Sequence, residues 1–386
     1  MKYDFDKPTN RRGMDSLKWD VAPGEIPLWV ADMDFETAPF IREAILNRAE
    51  KGIFGYSVIP ERWAESYVNW WKKNHDFEMQ RDWLIFSTGV VPSISSCVRK
   101  LTTPAEKILV QTPCYNIFFN SIVNNGRRVL ESPMKFDEKN SVYSVDFERL
   151  EKDLSDEQVS LMILCNPQNP SGNIWSRPEL EKIGALCKKY GVLVLSDEIH
   201  CDIVRPGKKY VPFASVSDVC REISVSLVSP TKCFNIAGLN TSCAVVPDEN
   251  LRHKIFRALN TDEIAEPSSF AVDACVSAFE NGAEYLHQLN EYLFENRRIA
   301  EEFMAKNLAE FSAVKSDATY LFWLNVKRNG DEFARNLRKK TGLFISGGGA
   351  YGKTGENFVR INLACRKFLL DDALTRLEKF VREEKS

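Results

Sequence analysis

The chain has 386 residues, with 51 Lys and Arg against 54 Asp and Glu for a formal net charge of −3, and hydrophobic residues make up 44%. At roughly 100–200 residues per domain, that length allows two or three domains with an ample core, and the charge balance excludes a general nucleic-acid binder. The longest apolar runs, such as residues 192–195, fall far short of the ~18 residues a membrane span needs, and the charged opening MKYDFDKPTNRRG does not read as a signal peptide.

Taken in chain order, the first predicted element is a helix over residues 37–51, with Ile41, Ala44, Ile45 and Ala49 on one face at helical spacing. WLIFSTG then leads into PSISSCVRKL, and KILVQTP into YNIFFNSIVNNG. SLMILC precedes the turn NPQNP and a helix capped by Ser176, with Pro178 near its start, that runs to Gly191. VLVLSDEI, ISVSLVS and TSCAVVP follow. Short runs apolar on both faces and separated by helices predict parallel strands buried between helical layers. Beyond residue 283 come a long helix to about residue 308, YLFWLNV, a helix near residues 331–340, FVRINLAC and a terminal helix. The expected class is α/β, a mostly parallel central sheet between helices plus a second, smaller α/β domain. The expected division is 52–282 for the large domain and 1–51 with 283–386 for the small one.

Ten cysteines are scattered without a C-x-x-C pair, and several sit in strand-like runs, as Cys165 does. They read as reduced core thiols, which points to the cytoplasm. His75, His200, His253 and His287 match no ligand spacing, so no metal is expected. Residues 347–354, GGGAYGKT, fit the phosphate-loop pattern G-x-x-x-x-G-K-[ST] letter for letter. A working loop needs a helix opening at the Lys-Thr. Here Gly355, Glu356 and Asn357 lead into the strand-like FVRINLA, so the segment reads as a glycine-rich connection.

A second set of signals lies at the strand ends. Ser229-Pro230-Thr231-Lys232 closes ISVSLVS. A lysine there is partly desolvated, which lowers its pKa and favours a nucleophilic amine able to form a Schiff base. Asp197 closes VLVLSD, where a carboxylate needs a cationic or hydrogen-bonded partner such as a protonated pyridine nitrogen. Asn169 sits in the turn after SLMILC, and its amide is a group that can hydrogen-bond a ring oxygen. Backbone N–H groups of Gly89, Val90 and Val91 open a helix and suit a phosphate. Tyr115 can stack on a planar ring, and Arg360 in FVRIN can clamp a carboxylate bidentately. Each has an ordinary alternative: an exposed lysine, a capping Asp, a plain turn, a core tyrosine, an internal salt bridge. Their common place, at one end of a parallel sheet, is where open α/β folds bind ligands.

The order G-V-V-P, P-C-Y, N-P-Q-N-P-S-G, S-D-E-I-H, S-P-T-K and F-V-R-I-N resembles the fold-type I pyridoxal-phosphate enzymes, the aspartate aminotransferase superfamily. The strings Asp4-Phe5-Asp6, Ser16-Leu17-Lys18-Trp19-Asp20, residues 29–35 (WVADMDF) and Lys232-Cys233-Phe234-Asn235 narrow the resemblance to the MalY/PatB branch of cystathionine β-lyases, or C–S lyases. The resemblance implies pyridoxal 5′-phosphate as cofactor and α,β-elimination of cystathionine and related cysteine S-conjugates to a thiol, pyruvate and ammonia. It implies Lys232 as Schiff-base lysine and base, Asp197 at the ring nitrogen, and Asn169 with His200 at the ring 3′-oxygen. Tyr115 would lie on the ring, and Gly89, Val90, Val91, Ser229 and Thr231 would hold the phosphate. Arg360, Ala31, Trp29 and Asn169 would bind the substrate. Tyr56 would reach the phosphate of a neighbouring subunit, which implies a homodimer, and methionine biosynthesis is the implied setting. Many transaminases carry an arginine eight residues after the lysine; Asn240 stands there instead. The rival readings are an aminotransferase of the same fold and a regulatory protein that keeps the cofactor.

Overall fold

The computed structural model describes residues 2–384; Met1, Lys385 and Ser386, at the ends of the expected smaller division, lie outside them. Seven strands build the central sheet: β1 (Leu84–Ser87), β2 (Lys107–Thr112), β3 (Arg128–Pro133), β4 (Val159–Cys165), β5 (Leu193–Asp197), β6 (Ser224–Val228) and β7 (Ser242–Val245). Their order is β1-β7-β6-β5-β4-β2-β3. Strands β2 to β6 pair in parallel. All five residues of β6 and all four of β7 are buried, as expected for strands covered on both faces.

Strand β7 departs from the expected parallel run, lying antiparallel to both β6 and β1. Its apolar residues give no direction; the connection does. Residues 229–241 contain only a short 3₁₀ turn at Ala237–Leu239 and no α-helix of the kind that usually carries the chain back across the sheet to a parallel neighbour. Strand β3, at the sheet edge, has no counterpart in the predicted elements. Its residues are mostly half-exposed, so the continuous apolar signal is missing.

The helices follow local chemistry. Ser176 caps Arg177–Lys189 through a full capping box with Glu179. Pro39 opens Pro39–Glu50; of its predicted apolar face only Ile41 is fully buried, and Ala44, Ile45 and Ala49 are half-buried.

A second, four-stranded antiparallel sheet follows: β8 (Ser312–Ala313), β9 (Leu321–Asn325), β10 (Ser346–Gly347) and β11 (Phe358–Asn362), in the order β8-β9-β11-β10. Helices Ala283–Asn307, Gly330–Thr341 and Lys367–Glu383 share its core with Ile26 and Leu28 of the N-terminal segment. Ile26–Pro27 pairs with Leu343–Phe344, fastening that segment to the C-terminal part. The glycine-rich stretch forms short 3₁₀ turns, one of them Lys353–Gly355, and no α-helix opens at Lys353, so the phosphate-loop geometry is absent. Gly348 lies against backbone oxygens of Gly355 and Phe358 where a Cβ would clash. Among the described residues no helix is long and apolar enough to cross a membrane.

Candidate functional site

Register brings the strand ends together. Cys165 at the end of β4 pairs with Asp197 at the end of β5, which pairs with Leu227 in β6. Because β7 is antiparallel, its first residue, Ser242, stands opposite the last of β1, Ser87. The start of β7 therefore meets the same edge as the ends of its neighbours. A cavity of about 210 Å³ opens there, lined by Gly89, Val90, Val91, Tyr115, Asn169, Asp197, His200, Thr231, Lys232 and Ala31, together with Thr88, Asn240 and Thr241. A larger, shallower groove of about 780 Å³ runs along Gly330–Thr341, but there Arg338 is already paired with Glu25 and none of the strand-end groups is present.

Lys232 Nζ donates to the backbone oxygen of Ala31 at 2.6 Å. Burial brings its ammonium down to about 8, helped by the Arg360 guanidinium and opposed by Asp32 and Asp197, so a usable fraction is neutral amine near neutral pH. Burial pushes the Asp197 carboxyl up to about 7, against the Ile199 N–H and the Lys232 charge. Among the described residues Asp197 accepts one hydrogen bond, from Ile199 N at 3.1 Å. A carboxylate with most of its lone pairs unused is built for a cationic or N–H partner in the cavity. Burial, with Lys232 and Arg360, holds His200 down to about 3; its imidazole is neutral and Nδ1 has no partner.

The helix Val90–Leu101 begins at the cavity wall with Gly89 as its N-cap residue, and its first intrahelical bond is Ser93 N to Gly89 O. The N–H groups before it are free for an anion, and the helix dipole adds to them. Thr241 Oγ1 is buried and unpaired. Tyr115 is half-buried at the cavity and packs edge-on against Phe118, so one ring face is available.

Four expected residues are not in the lining. The Ser229 hydroxyl sits behind it, 2.7 Å from Thr231 Oγ1 and donating to Thr241 O. The Trp29 ring stacks on Phe344 at 4.9 Å, away from the cavity, while its carbonyl accepts from Arg360 Nη2 at 2.8 Å. Arg360 is buried, has Nε unpaired, touches Asn169 Oδ1 at 3.4 Å and lies over Tyr351. No carboxylate pairs with it among the described residues, so the ordinary alternative of an internal salt bridge is not realised. Tyr56 is fully exposed among exposed Ile53, Phe54 and Val58, away from the cavity of its own chain.

Thr88 and Thr241 were not singled out by sequence reading, while Asn240, which stands where many transaminases carry an arginine, is in the lining. Thr241 precedes a strand whose direction composition does not give, and hydroxyls one residue from a strand carry no pattern. Spacing also hid a second grouping, as His75, Cys201 and Asp202 lie within 4.8 Å of one another. There the Asp202 carboxylate is occupied by the Trp70 indole N–H and His75 Nε2, at 3.0 and 2.9 Å.

Residues 24–377 match the protein family described as aminotransferase class I and II. The chain is 39% identical to the cystathionine beta-lyase PatB of Bacillus subtilis (strain 168), over 97% of this chain and 98% of that protein. It is 30% identical to the protein MalY of Escherichia coli (strain K12), over 98% and 99% of the two chains. Among solved structures it superposes on cystalysin from Treponema denticola, which contains a pyridoxal 5′-phosphate cofactor, with a TM-score of 0.95, 29% identity and 100% coverage of both chains.

Proposed function

The chain belongs to the class I and II aminotransferase family, and from that premise we propose that it is a pyridoxal-phosphate-dependent carbon–sulfur β-lyase acting on cystathionine and related cysteine S-conjugates. The observation that carries the reading is one cavity holding a lysine amine brought down to about 8, a buried carboxyl with a single donor, and an open helix N-terminus. The 39% relative named as a cystathionine beta-lyase supports the choice of reaction.

The residues present fit the cofactor. An anion is met by the N–H groups at Gly89, Val90 and Val91 and by the Thr231 and Thr241 hydroxyls, braced by Ser229. Asp197 would pair with a protonated ring nitrogen, Asn169 and the orphaned His200 Nδ1 would hold a ring oxygen, and Tyr115 would cover the ring face. Tyr56, solvated in one chain, serves the anion of a second copy in a homodimer. With Asn240 in the place of an arginine, the anion relies on hydroxyls and the helix dipole.

When bound, pyridoxal phosphate supplies an aldehyde carbon for the substrate amine and a protonated ring that accepts the electrons left at Cα. Arg360, with no carboxylate of its own, holds the substrate carboxylate beside Asn169. Lys232 Nζ takes the Cα proton, and the C–S bond at Cβ breaks with its electron pair leaving on sulfur. Asp197 keeps the ring-nitrogen proton in place throughout. Water completes the balance: R–S–CH₂–CH(NH₃⁺)–COO⁻ and H₂O give RSH, pyruvate and ammonium. Ten unpaired buried cysteines suit a cytoplasmic setting.

Incubation of the purified protein with cystathionine, without any 2-oxo acid, tests the reading. Stoichiometric pyruvate and homocysteine support the lyase. Turnover only after a 2-oxo acid is added makes the chain an aminotransferase, and bound cofactor with neither product makes it a regulatory binding protein.

A further inference from the structure

Two N-terminal strings that the cavity chemistry leaves unused apart from Ala31, Ser16-Leu17-Lys18-Trp19-Asp20 and Ala31-Asp32-Met33-Asp34-Phe35, meet in the fold. The Lys18 side chain is wholly buried, with Nζ 2.9 Å from Asp34 Oδ2 and 3.6 Å from Asp32 Oδ1. Arg11 reaches both carboxylates, at 2.7 Å to Asp32 and 3.0 Å to Asp34, and also donates to Met33 O and Ser16 Oγ. The Trp19 indole N–H adds a bond to Asp34 at 2.7 Å. Two cations and two anions cancel, and each carboxylate has several donors, the condition under which buried charge is tolerated.

From the other side the same segment is held by groups of the cavity elements. Asn362 Nδ2 donates to the oxygens of Val30 and Asp32, both at 2.6 Å, and Arg360 donates to that of Trp29. Asn235, three residues after Lys232, accepts from Met33 N and donates to the oxygens of Met33 and Phe35. Between these fasteners the Ala31 oxygen accepts from Lys232 Nζ at 2.6 Å and from the buried Tyr320 hydroxyl at 2.9 Å.

We propose that Arg11, Lys18, Asp32 and Asp34 are positioning residues: a charge-neutral clamp that fixes the Ala31 carbonyl oxygen as the resting point of the Lys232 amine. The inference rests on the reading of Lys232 as the reacting amine. A carbonyl held there accepts one N–H of the amine, or of the ammonium once it has taken a proton, and steers the side chain between that oxygen and the cavity. The charged and titratable groups facing Lys232 are Arg360, Asp32, Asp197, His200 and Tyr320. Breaking the clamp's charge balance therefore acts on Lys232 with a sign set by which member is removed.

The test uses the full-length chain and its Lys18→Met, Lys18→Arg and Asp32→Asn variants. Amide hydrogen exchange is followed at Met33 and Asp34, with and without pyridoxal phosphate. Acylation of Lys232 by acetic anhydride is followed against pH by peptide mass spectrometry without cofactor. Lys18→Met is expected to speed exchange at both amides about tenfold or more, and to raise the Lys232 titration midpoint by about half a unit or more, because a buried negative charge is left unpaired. Lys18→Arg restores both readings, and Asp32→Asn moves the midpoint down. Unchanged exchange and midpoint in Lys18→Met overturn the clamp. Midpoints that move the same way in Lys18→Met and Asp32→Asn also overturn it, since loosening alone has no sign. Should Lys18→Met not fold, Asp32→Asn decides by itself, and an unchanged midpoint overturns the proposal. Failure of the underlying reading shows separately, as a wild-type chain that gains no visible absorbance with pyridoxal phosphate beyond that of Lys232→Ala.

Discussion

Asp197 and Glu198 are consecutive, both buried, and differently provided for. Glu198 accepts from the Ser196, Tyr210 and Ser226 hydroxyls and from Phe213 N–H, whereas Asp197, at the cavity, has only Ile199 N–H. The same contrast holds between wider regions. The clamp at Arg11, Lys18, Asp32 and Asp34 is closed on itself, while the cavity leaves His200 Nδ1 and Thr241 Oγ1 without partners and Arg360, outside its lining, keeps Nε unpaired. Glu198, with a full set of partners, braces the fold, whereas Asp197, left short at the wall of the cavity, is free to take a ligand there.

The contrast breaks or sharpens under substitution. Lys232→Ala has the largest expected effect, a loss of lyase turnover on the order of 10⁴-fold together with the visible cofactor band; turnover that survives would move the base elsewhere. Asp197→Asn is next, with kcat reduced about 10³-fold, the size expected when a preorganised charge is lost. Arg360→Lys removes the planar fork and is expected to cost about 2 kcal/mol, or roughly thirty-fold in kcat/KM, carried mainly by KM; an effect confined to kcat would take Arg360 off the substrate carboxylate. Glu198→Gln, on the braced side, should keep the cofactor band and most of the activity while denaturant unfolding shows a loss of about 1–3 kcal/mol. If Glu198→Gln abolished turnover without loss of stability, the division between brace and site would fail.

Much of this was legible because strand ends carry strong local signals. Lys232, Asp197 and Asn169 each close a buried apolar run, and Ser176 announces its helix by the capping box that forms. What stayed hidden depends on pairing at long range. The direction of β7 comes from the link after β6, which holds no α-helix, and with it the place of Thr241. The Arg11–Asp32 and Lys18–Asp34 pairs look like ordinary surface charges in the sequence and become a buried cluster only when two loops meet. Trp29 was expected at the substrate, yet stacking on Phe344 removes its ring from the cavity and leaves its carbonyl as the useful group.

The smallest expected effect is the most diagnostic of the comparison, because it measures what an under-partnered carboxylate does to the cofactor-free fold. Asp197 is raised from an ordinary 3.8 to about 7. Across that window the folded chain keeps a proton that the unfolded chain has released, so Asp197 lowers stability as pH rises, and by its full amount above 7. His200 runs the other way: lowered from 6.5 to about 3, it is charged only in the unfolded chain between those values, so its contribution raises stability with pH. In the wild type the two limbs oppose each other. Asp197→Asn removes one of them. The variant should match the wild type below about pH 4, gain on it from there to pH 7, and be more stable at pH 8 by about 1–2 kcal/mol once relaxation around the buried charge is allowed for. Stability–pH curves that stay parallel from pH 4 to 8 would mean Asp197 is as well satisfied as Glu198, and the contrast between them would be lost.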